Sequence, residues 1–197
     1  MGTRDPFIWY FAYGSNMHPD VFVARRAAVP KARDRARLTG HRLVFDQPGI
    51  PLLEPAFANV RVDPTGEVWG VLWKISSTTL ARLDQQEGGG AYTHLKVKVQ
   101  GDAVGAVDAI TYRAGRTLSG LKPSRRYLDL VVAGARDAGL PESYVASIAR
   151  TRTSCVPLAS RVSPIVMRFF ERLFVAGVDP NPLFDWYWNL VAWRRSR

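Results

Sequence analysis

Two short stretches of this 197-residue chain carry residues that can do acid–base chemistry on an anion. In the first, an apolar run over residues 7–13 stops at Gly14, and a polar turn over residues 14–16 leads into a helical pattern. Such a turn points backbone N–H groups outward, where they can hold a carboxylate or an oxyanion. In the second, Glu87 stands in the last turn of a short predicted helix, directly before three glycines. Together they suggest acid–base chemistry on an anionic substrate.

The spacing around Glu87 places its carboxyl group on the apolar face of that helix. Leu80, Leu83 and Glu87 are spaced i, i+3 and i+7, which puts them on one side. The negative end of the helix dipole and Asp84, three residues earlier, both favour a protonated carboxyl group at position 87. From these residues alone, a solvated glutamate at a helix end is the preferred interpretation.

The elements that must position these stretches predict an α+β fold. Strands are predicted at residues 7–13, 36–45, 56–62, 68–75, 93–99 and 109–113, and helices at residues 19–26, 78–87, 124–139 and 141–150. An Asp-Pro-Thr-Gly turn signal separates residues 56–62 from residues 68–75, so these two strands are predicted to form a hairpin. Strands in sequence, with helices inserted and appended, favour α+β over a doubly wound parallel sheet.

The composition favours a globular protein of one ordinary domain with an addition. Hydrophobic residues make up 47% of the chain, which is ample for a packed core. Cys155 is the single cysteine, which excludes an intrachain disulfide, and no charged-then-apolar signal segment precedes the first strand. We therefore expect a cytoplasmic setting. No apolar stretch reaches the roughly 20 residues that a membrane-spanning helix needs.

The net charge of +10 attracts anions of every kind, so charge alone does not choose a partner. Arg33, Arg35 and Arg37 alternate along a probable strand, which suits either a stripe that tracks phosphates or a solvated strand face. We favour the solvated face because no aromatic residues interleave with these arginines as base-stacking surfaces require. No nucleic-acid partner is expected.

Metal and cofactor chemistry finds little support in the sequence. The three histidines, His18, His41 and His94, show no metal-ligand spacing, and Cys155 has no CxxC partner. Neither a GxxxxGK[ST] phosphate loop nor a GxSxG nucleophile elbow is present. We expect no metal and no cofactor.

The end of the chain carries two aromatic helical stripes, separated by an Asp-Pro-Asn-Pro break. Their members are Val166, Phe169, Phe170, Leu173 and Phe174, then Leu183, Trp186, Tyr187, Leu190 and Val191. Such stripes need to be covered. We expect them to pack on the domain or on a second copy of it, as a homodimer would allow. The alternative is peripheral contact of an interfacial helix with a membrane, which Arg194, Arg195 and Arg197 leave open.

Four motifs in order resemble the gamma-glutamylcyclotransferase family. They are YGSN at residues 13–16, VWGVLWKI at residues 68–75, LDQQEG at residues 83–88, and the region of Tyr127 and residues 134–141. The likeness runs from about residue 7 to residue 150. It implies a small mixed β-barrel, closed or nearly closed, with flanking helices over residues 1–158. Residues 159–197 are then a C-terminal helical extension.

The resemblance implies that a γ-glutamyl compound is cyclised to 5-oxoproline with release of an amine, as in glutathione metabolism, without a cofactor. It implies that Glu87 is the general acid and base, and that residues of the YGSN turn bind the substrate's α-carboxylate or stabilise the oxyanion. The implied binding residues are Tyr13, Gly14, Ser15 and Asn16 of the turn, with Tyr127 and, as a further candidate wall, Tyr92.

Two alternatives stay open. The same ring closure can act on another donor, such as γ-glutamyl-lysine or a γ-glutamyl-protected biosynthetic intermediate. The connection over residues 88–91 looks shorter than in the animal enzymes, which leaves the leaving group undetermined. A member of another class, a non-catalytic binding or scaffold protein, would keep the fold and use the basic surface and the aromatic C-terminus.

Overall fold

Five strands close into a barrel in the computed structural model, which describes residues 6–51, 53–86, 91–154 and 181–195. The strands are β1 (Phe7–Ala12), β2 (Ala32–Ile50), β3 (Glu54–Ser76), β4 (Tyr92–Gly101) and β5 (Gly105–Ala114). Their order around the barrel is β1-β3-β2-β4-β5. β1 pairs in parallel with β5 through Tyr10 and Ile110, and the other pairings are antiparallel. The expected mixed barrel is confirmed.

The helices in the described part of the chain flank the barrel. They are α1 (Ser77–Gln86), α2 (Arg125–Asp137), α3 (Glu142–Ala149) and α4 (Asn181–Arg195), with a 3₁₀ turn at Ser15–Met17 and a π-helical segment at Asp20–Arg25. The serine directly before α1 and the serine directly before α2 cap these helices, as is common for serine at this position. Ser76 Oγ accepts from the Thr79 N–H, and Ser124 Oγ accepts from the Tyr127 N–H. The α+β fold expected from the sequence is therefore confirmed.

The core packs α2 and the π-helical segment against the barrel wall. Phe22 is fully buried and stacks on Trp73 at 4.8 Å and on Tyr10 at 5.6 Å between ring centroids. A Cβ at Gly134 of α2 would lie 2.8 Å from the His18 backbone nitrogen. Glycine there lets α2 approach the chain that follows the YGSN turn.

The hairpin predicted for residues 56–62 and 68–75 is wrong, because both segments belong to the single strand β3. The long strand β2 pairs with both of them, and the register moves from Thr39 opposite Glu67 to His41 opposite Val62. The Asp-Pro-Thr-Gly segment lies between these pairs, and Asp63 Oδ1 accepts from the Thr65 N–H at 3.2 Å. The turn signal therefore produces a local irregularity in the ladder and does not reverse the chain.

The arginines of β2 are paired, and aromatic rings do accompany them. Trp73 and Trp69 of the neighbouring strand β3 lie 5.1 Å and 5.7 Å from the guanidinium carbons of Arg33 and Arg37. No aromatic residue interleaves with these arginines along β2 itself, and the neighbouring rings are supplied by β3. Each arginine of the stripe also contacts a carboxylate of another element: Arg33 with Asp137, Arg35 with Asp102 and Arg37 with Glu67.

The helix α4 contacts the barrel through Trp188, which is buried and donates its indole N–H to the Gly49 carbonyl at 2.7 Å. Arg116 donates to Asp185 at 3.1 Å and to Asn189 at 2.9 Å. Trp186 of the same helix is 63% exposed. The first aromatic stripe, from Val166 to Phe174, lies outside the described residues. Among the described residues, no helix is long and apolar enough to cross a membrane.

If Trp188 anchors α4, Trp188→Phe should lower the free energy of unfolding by about 1–3 kcal/mol, because the buried Gly49 carbonyl loses its donor. Trp186→Phe, on the exposed side of the same helix, is the matched control and should change it by less than about 0.5 kcal/mol. Urea denaturation of both variants measures the difference. Equal stabilities would show that α4 does not depend on this contact.

Candidate functional site

One small cavity of about 40 Å³ lies beside the turn that follows β1. The predicted binding residues all line it, with three residues that sequence reasoning did not select. Among the described residues the lining is Tyr10, Tyr13, Gly14, Ser15, Asn16, Ala58, Tyr92, Tyr112 and Tyr127. Glu87, the predicted acid and base, lies outside the described residues. The structure thus brings the predicted binding residues together, and their contact with a substrate stays a prediction.

The YGSN turn is a 3₁₀ turn in which the Met17 N–H donates to the Gly14 carbonyl and the His18 N–H donates to the Ser15 carbonyl, each at 3.0 Å. The Asn16 carbonyl accepts from the indole N–H of Trp73 at 3.0 Å. This last bond fixes the turn on the barrel wall, because Trp73 belongs to β3.

Two hydroxyl contacts hold the side chains of the turn. Tyr13 donates its O–H to the Tyr112 carbonyl of β5 at 2.6 Å, and the Asn16 amide donates to the Tyr10 hydroxyl at 3.0 Å. Both bonds are buried. Buried hydrogen bonds of this kind cost free energy when broken, so the turn has little freedom to move.

Two tyrosines bind the backbone of a single residue, Ala58, on the opposite wall. The Ala58 N–H donates to the Tyr127 hydroxyl at 3.2 Å, and the Tyr92 hydroxyl donates to the Ala58 carbonyl at 3.0 Å. A Cβ built on Gly14 would lie 3.2 Å from both the Ala58 Cβ and the Tyr127 hydroxyl. The turn and this wall are therefore so close that a side chain at position 14 would enter the space between them.

A buried carboxylate orients the helix that carries Tyr127. Glu54, at the start of β3, has no exposed surface and accepts from Ser124 Oγ at 2.5 Å and from Arg126 Nε at 2.6 Å. Ser124 is also the N-cap of α2 and accepts from the Tyr127 N–H at 3.0 Å. The bonds from Glu54 to Ser124 and Arg126 fix the direction in which α2 leaves the barrel, and therefore the position of the Tyr127 ring.

The carboxylate of Asp84 has partners that the sequence analysis did not foresee. Asp84 Oδ1 accepts from the Tyr112 hydroxyl at 2.6 Å and lies 2.6 Å from His94 Nε2. No cluster that could hold a metal ion occurs among the described residues, and His94 contacts Asp84 there as a hydrogen-bond partner. Asp84, His94 and Tyr112 form a hydrogen-bonded cluster at the edge of the cavity.

The residues missed in the lining share one property. They lie within strands, and the register of the barrel brings them to the cavity: Tyr10 from β1, Ala58 from β3 and Tyr112 from β5. The predicted residues, in contrast, were selected because they belong to sequence motifs. The sequence offers only a weak signal for the missed residues: Tyr10 is an aromatic residue in the middle of one predicted strand, and Tyr112 lies near the end of another.

The chain is similar in sequence and in fold to known gamma-glutamylcyclotransferases. A family model described as AIG2-like matches residues 67–148. A gamma-glutamyl cyclotransferase of Aspergillus oryzae is 31% identical over 170 residues, which cover 74% of this chain and 61% of the fungal protein. The gamma-glutamylcyclotransferase of Bos taurus is 33% identical over 142 residues, which cover 68% of this chain and 73% of the bovine protein. A solved gamma-glutamyl cyclotransferase superposes with a TM-score of 0.68 at 28% identity, covering 77% of this chain and 92% of that structure.

Removing the partner of the buried carboxylate tests how the site is held. Arg126→Met leaves Glu54 without its guanidinium and should cost more than about 2 kcal/mol of unfolding free energy. Arg125→Met is the matched control, because Arg125 pairs with Asp129 on the exposed face of the same helix and such pairs contribute about 0–1 kcal/mol. Chemical denaturation of both variants gives the comparison. A loss no larger for Arg126→Met than for the control would contradict the role given to Glu54.

Proposed function

Because this chain belongs to the gamma-glutamylcyclotransferase family, we propose that it converts a γ-glutamyl amino acid or amine into 5-oxoproline and the free amine. The observation that carries the proposal is the cavity that collects the YGSN turn, Tyr92 and Tyr127. The chain spans 61% of the length of the fungal relative and 73% of the bovine one. The proposed setting is γ-glutamyl and glutathione metabolism in the cytoplasm.

The reaction needs no external nucleophile. The substrate's α-amine attacks its own γ-carbonyl carbon, a C–N bond forms in the five-membered ring, and the C–N bond to the leaving amine breaks. A free α-amine has a pKa of about 8 and is largely protonated at neutral pH, so it must lose a proton before it can attack. The leaving nitrogen must gain one. A single carboxylate can accept the first proton and donate it to the second nitrogen, which is worth about 10²–10⁴ in rate.

Glu87 is the proposed carboxylate. The last described residue before it is Gln86, which ends α1, and Asp84 on the last turn of α1 contacts Tyr112 of the cavity lining. The helix that leads to Glu87 therefore ends beside the cavity, which supports a role there.

The substrate's α-carboxylate is the proposed ligand of the YGSN turn. The described lining contains no lysine or arginine, so an anion there depends on N–H and O–H donors. The turn supplies backbone N–H groups, and Gly14 lets a ligand approach them closely. Tyr127 and Ser15 add hydroxyl groups around the same space, and Tyr92 forms part of its wall.

The C-terminal segment has a separate proposed role. We infer that residues 159–197 form an extension that packs on residues 1–158 or on a second subunit. The buried Trp188 and its bond to Gly49 support packing on the barrel for the part within α4. The bond between Arg116 and Asp185 supports the same arrangement.

The proposed function is tested by Glu87→Gln, which keeps the shape of the side chain and removes the proton acceptor. Turnover of γ-glutamyl dipeptides to 5-oxoproline should fall by about 10² or more, with an unchanged thermal unfolding curve. Glu142→Gln, at the exposed start of α3, is the control and should keep full activity. Near-normal release of 5-oxoproline by Glu87→Gln would refute the assignment. A panel that includes γ-glutamyl-lysine identifies the preferred leaving amine.

The anion site is tested at Gly14. Gly14→Val places side-chain atoms between the turn and the Tyr127 hydroxyl, so KM should rise by about 10-fold or more before stability suffers. Gly14→Ala should have a smaller effect, because its Cβ needs only a small shift of the wall. Steady-state kinetics on the folded variants measures both. Unchanged KM and kcat in Gly14→Val would show that the carboxylate binds elsewhere.

A further inference from the structure

One carboxylate joins helix α1 to a pair of residues on the barrel. Tyr112 of β5 and His94 of β4 are directly opposite in the antiparallel ladder, and both contact Asp84 Oδ1 at 2.6 Å. The His94 and Tyr112 rings lie 5.4 Å apart between centroids. Asp84 therefore binds a cross-strand pair and not a single side chain, which fixes the direction of the helix end as well as its distance from the sheet.

Tyr112 connects the Asp84 contact to the cavity. Its side chain is buried and lines the cavity, and its ring lies 5.5 Å from the Tyr10 ring and 6.3 Å from the Tyr92 ring between centroids. Its carbonyl accepts from the Tyr13 hydroxyl. A displacement of Tyr112 would therefore move contacts on both sides of the site.

The same end of α1 is held from its other side. Arg26, directly after the π-helical segment, donates to the Gln86 carbonyl at 3.4 Å. Leu83, on the same turn, is fully buried in the core. The last turn of α1 is thus fixed by the core, by Arg26 and by Asp84.

Stability alone does not account for the geometry of the Asp84 contacts. The side chains of Asp84 and His94 are 42% and 40% exposed, and even a fully charged pair with this exposure contributes only about 0–1 kcal/mol. Misplacing a catalytic group by about 1 Å can cost about 10² in rate. A contact that is weak in energy but defined in direction therefore matters more for positioning than for folding.

We propose that Asp84 is a positioning residue, which holds the end of α1 and the Tyr112 wall of the cavity in one fixed arrangement. The inference rests on the proposed function in one respect: Glu87, the proposed acid and base, is the residue directly after the end of α1. Asp84 itself exchanges no proton with the substrate in this role. It acts through Tyr112, with His94 as the second partner that orients its carboxylate.

Kinetics tests the consequence for catalysis. Asp84→Ala should lower kcat by about 10-fold or more with a smaller change in KM, because a misplaced group affects the chemical step. Asp84→Asn keeps an acceptor oxygen and should recover most of the loss. Asp129→Ala, another exposed and ion-paired helix carboxylate, is the control and should match the wild type.

A double-mutant cycle tests the route through Tyr112. Tyr112→Phe removes the hydroxyl that donates to Asp84, so the variant with both Asp84→Ala and Tyr112→Phe should lose no more activity than the worse single variant. Losses that multiply, or an Asp84→Ala enzyme with wild-type kcat, would overturn the proposal.

Hydrogen exchange tests the anchor without any assay of activity. In Asp84→Ala the amides of residues 83–86 and 92–95 should exchange about 2- to 5-fold faster than in the wild type, as the loss of a contact worth up to about 1 kcal/mol allows, while Asp129→Ala leaves them unchanged. If the wild type releases no 5-oxoproline from any γ-glutamyl substrate, the proposed function fails and this measurement still decides the role of Asp84. Unchanged exchange in Asp84→Ala would overturn it.

Discussion

The seam between β1 and β5 is the constraint on which the site depends. The ladder there contains the one parallel pair Tyr10 and Ile110, and side chains supply further bonds across it. Thr111 donates its buried hydroxyl to the Phe11 carbonyl at 2.7 Å, and Tyr13 donates to the Tyr112 carbonyl. The barrel closes where β1 ends, so the YGSN turn begins at the seam and its backbone is held beside the cavity.

On the opposite wall, Ala58 belongs to the β3 ladder, but the helix that carries Tyr127 is oriented by a buried ion pair. Burying Glu54 is costly unless its oxygens are fully paired, and Arg126 and Ser124 provide that pairing. The result is a specific angle between α2 and β3 and not a large gain in stability. Tyr127 is carried to Ala58 by this angle, and the distance between the turn and the wall is set by two small residues, Gly14 and Ala58.

Local signals in the sequence predicted the elements well and their pairing poorly. The helical patterns over residues 78–87 and 124–139 are properties of a few neighbouring residues, so the helix positions were predictable from them, and the structure adds serine caps at Ser76 and Ser124 and a positive φ at Gly139. The turn signal after Asp63 had the right local conformation, but whether the chain reverses there depends on the partner strand β2. That information lies more than twenty residues away in the sequence.

The same distinction applies to the site. The YGSN turn, Tyr92 and Tyr127 were selected by motif, and the structure collects them around one cavity. Tyr112 and Ala58 enter through strand register, and the burial of Glu54 depends on which helix packs against it. The aromatic rings beside the arginines of β2 come from β3 for the same reason. These contacts between residues far apart in the chain cannot be predicted from local patterns in a single sequence.

The central claim is that the substrate's own amine closes the ring, and isotope labelling tests it most directly. The enzyme is incubated with a γ-glutamyl dipeptide in water enriched in ¹⁸O, and the products are analysed by mass spectrometry. The account predicts one free amino acid released for each 5-oxoproline formed, with no solvent ¹⁸O in the 5-oxoproline. Glutamate carrying solvent ¹⁸O, in place of 5-oxoproline, would show that water is the nucleophile and would contradict the account.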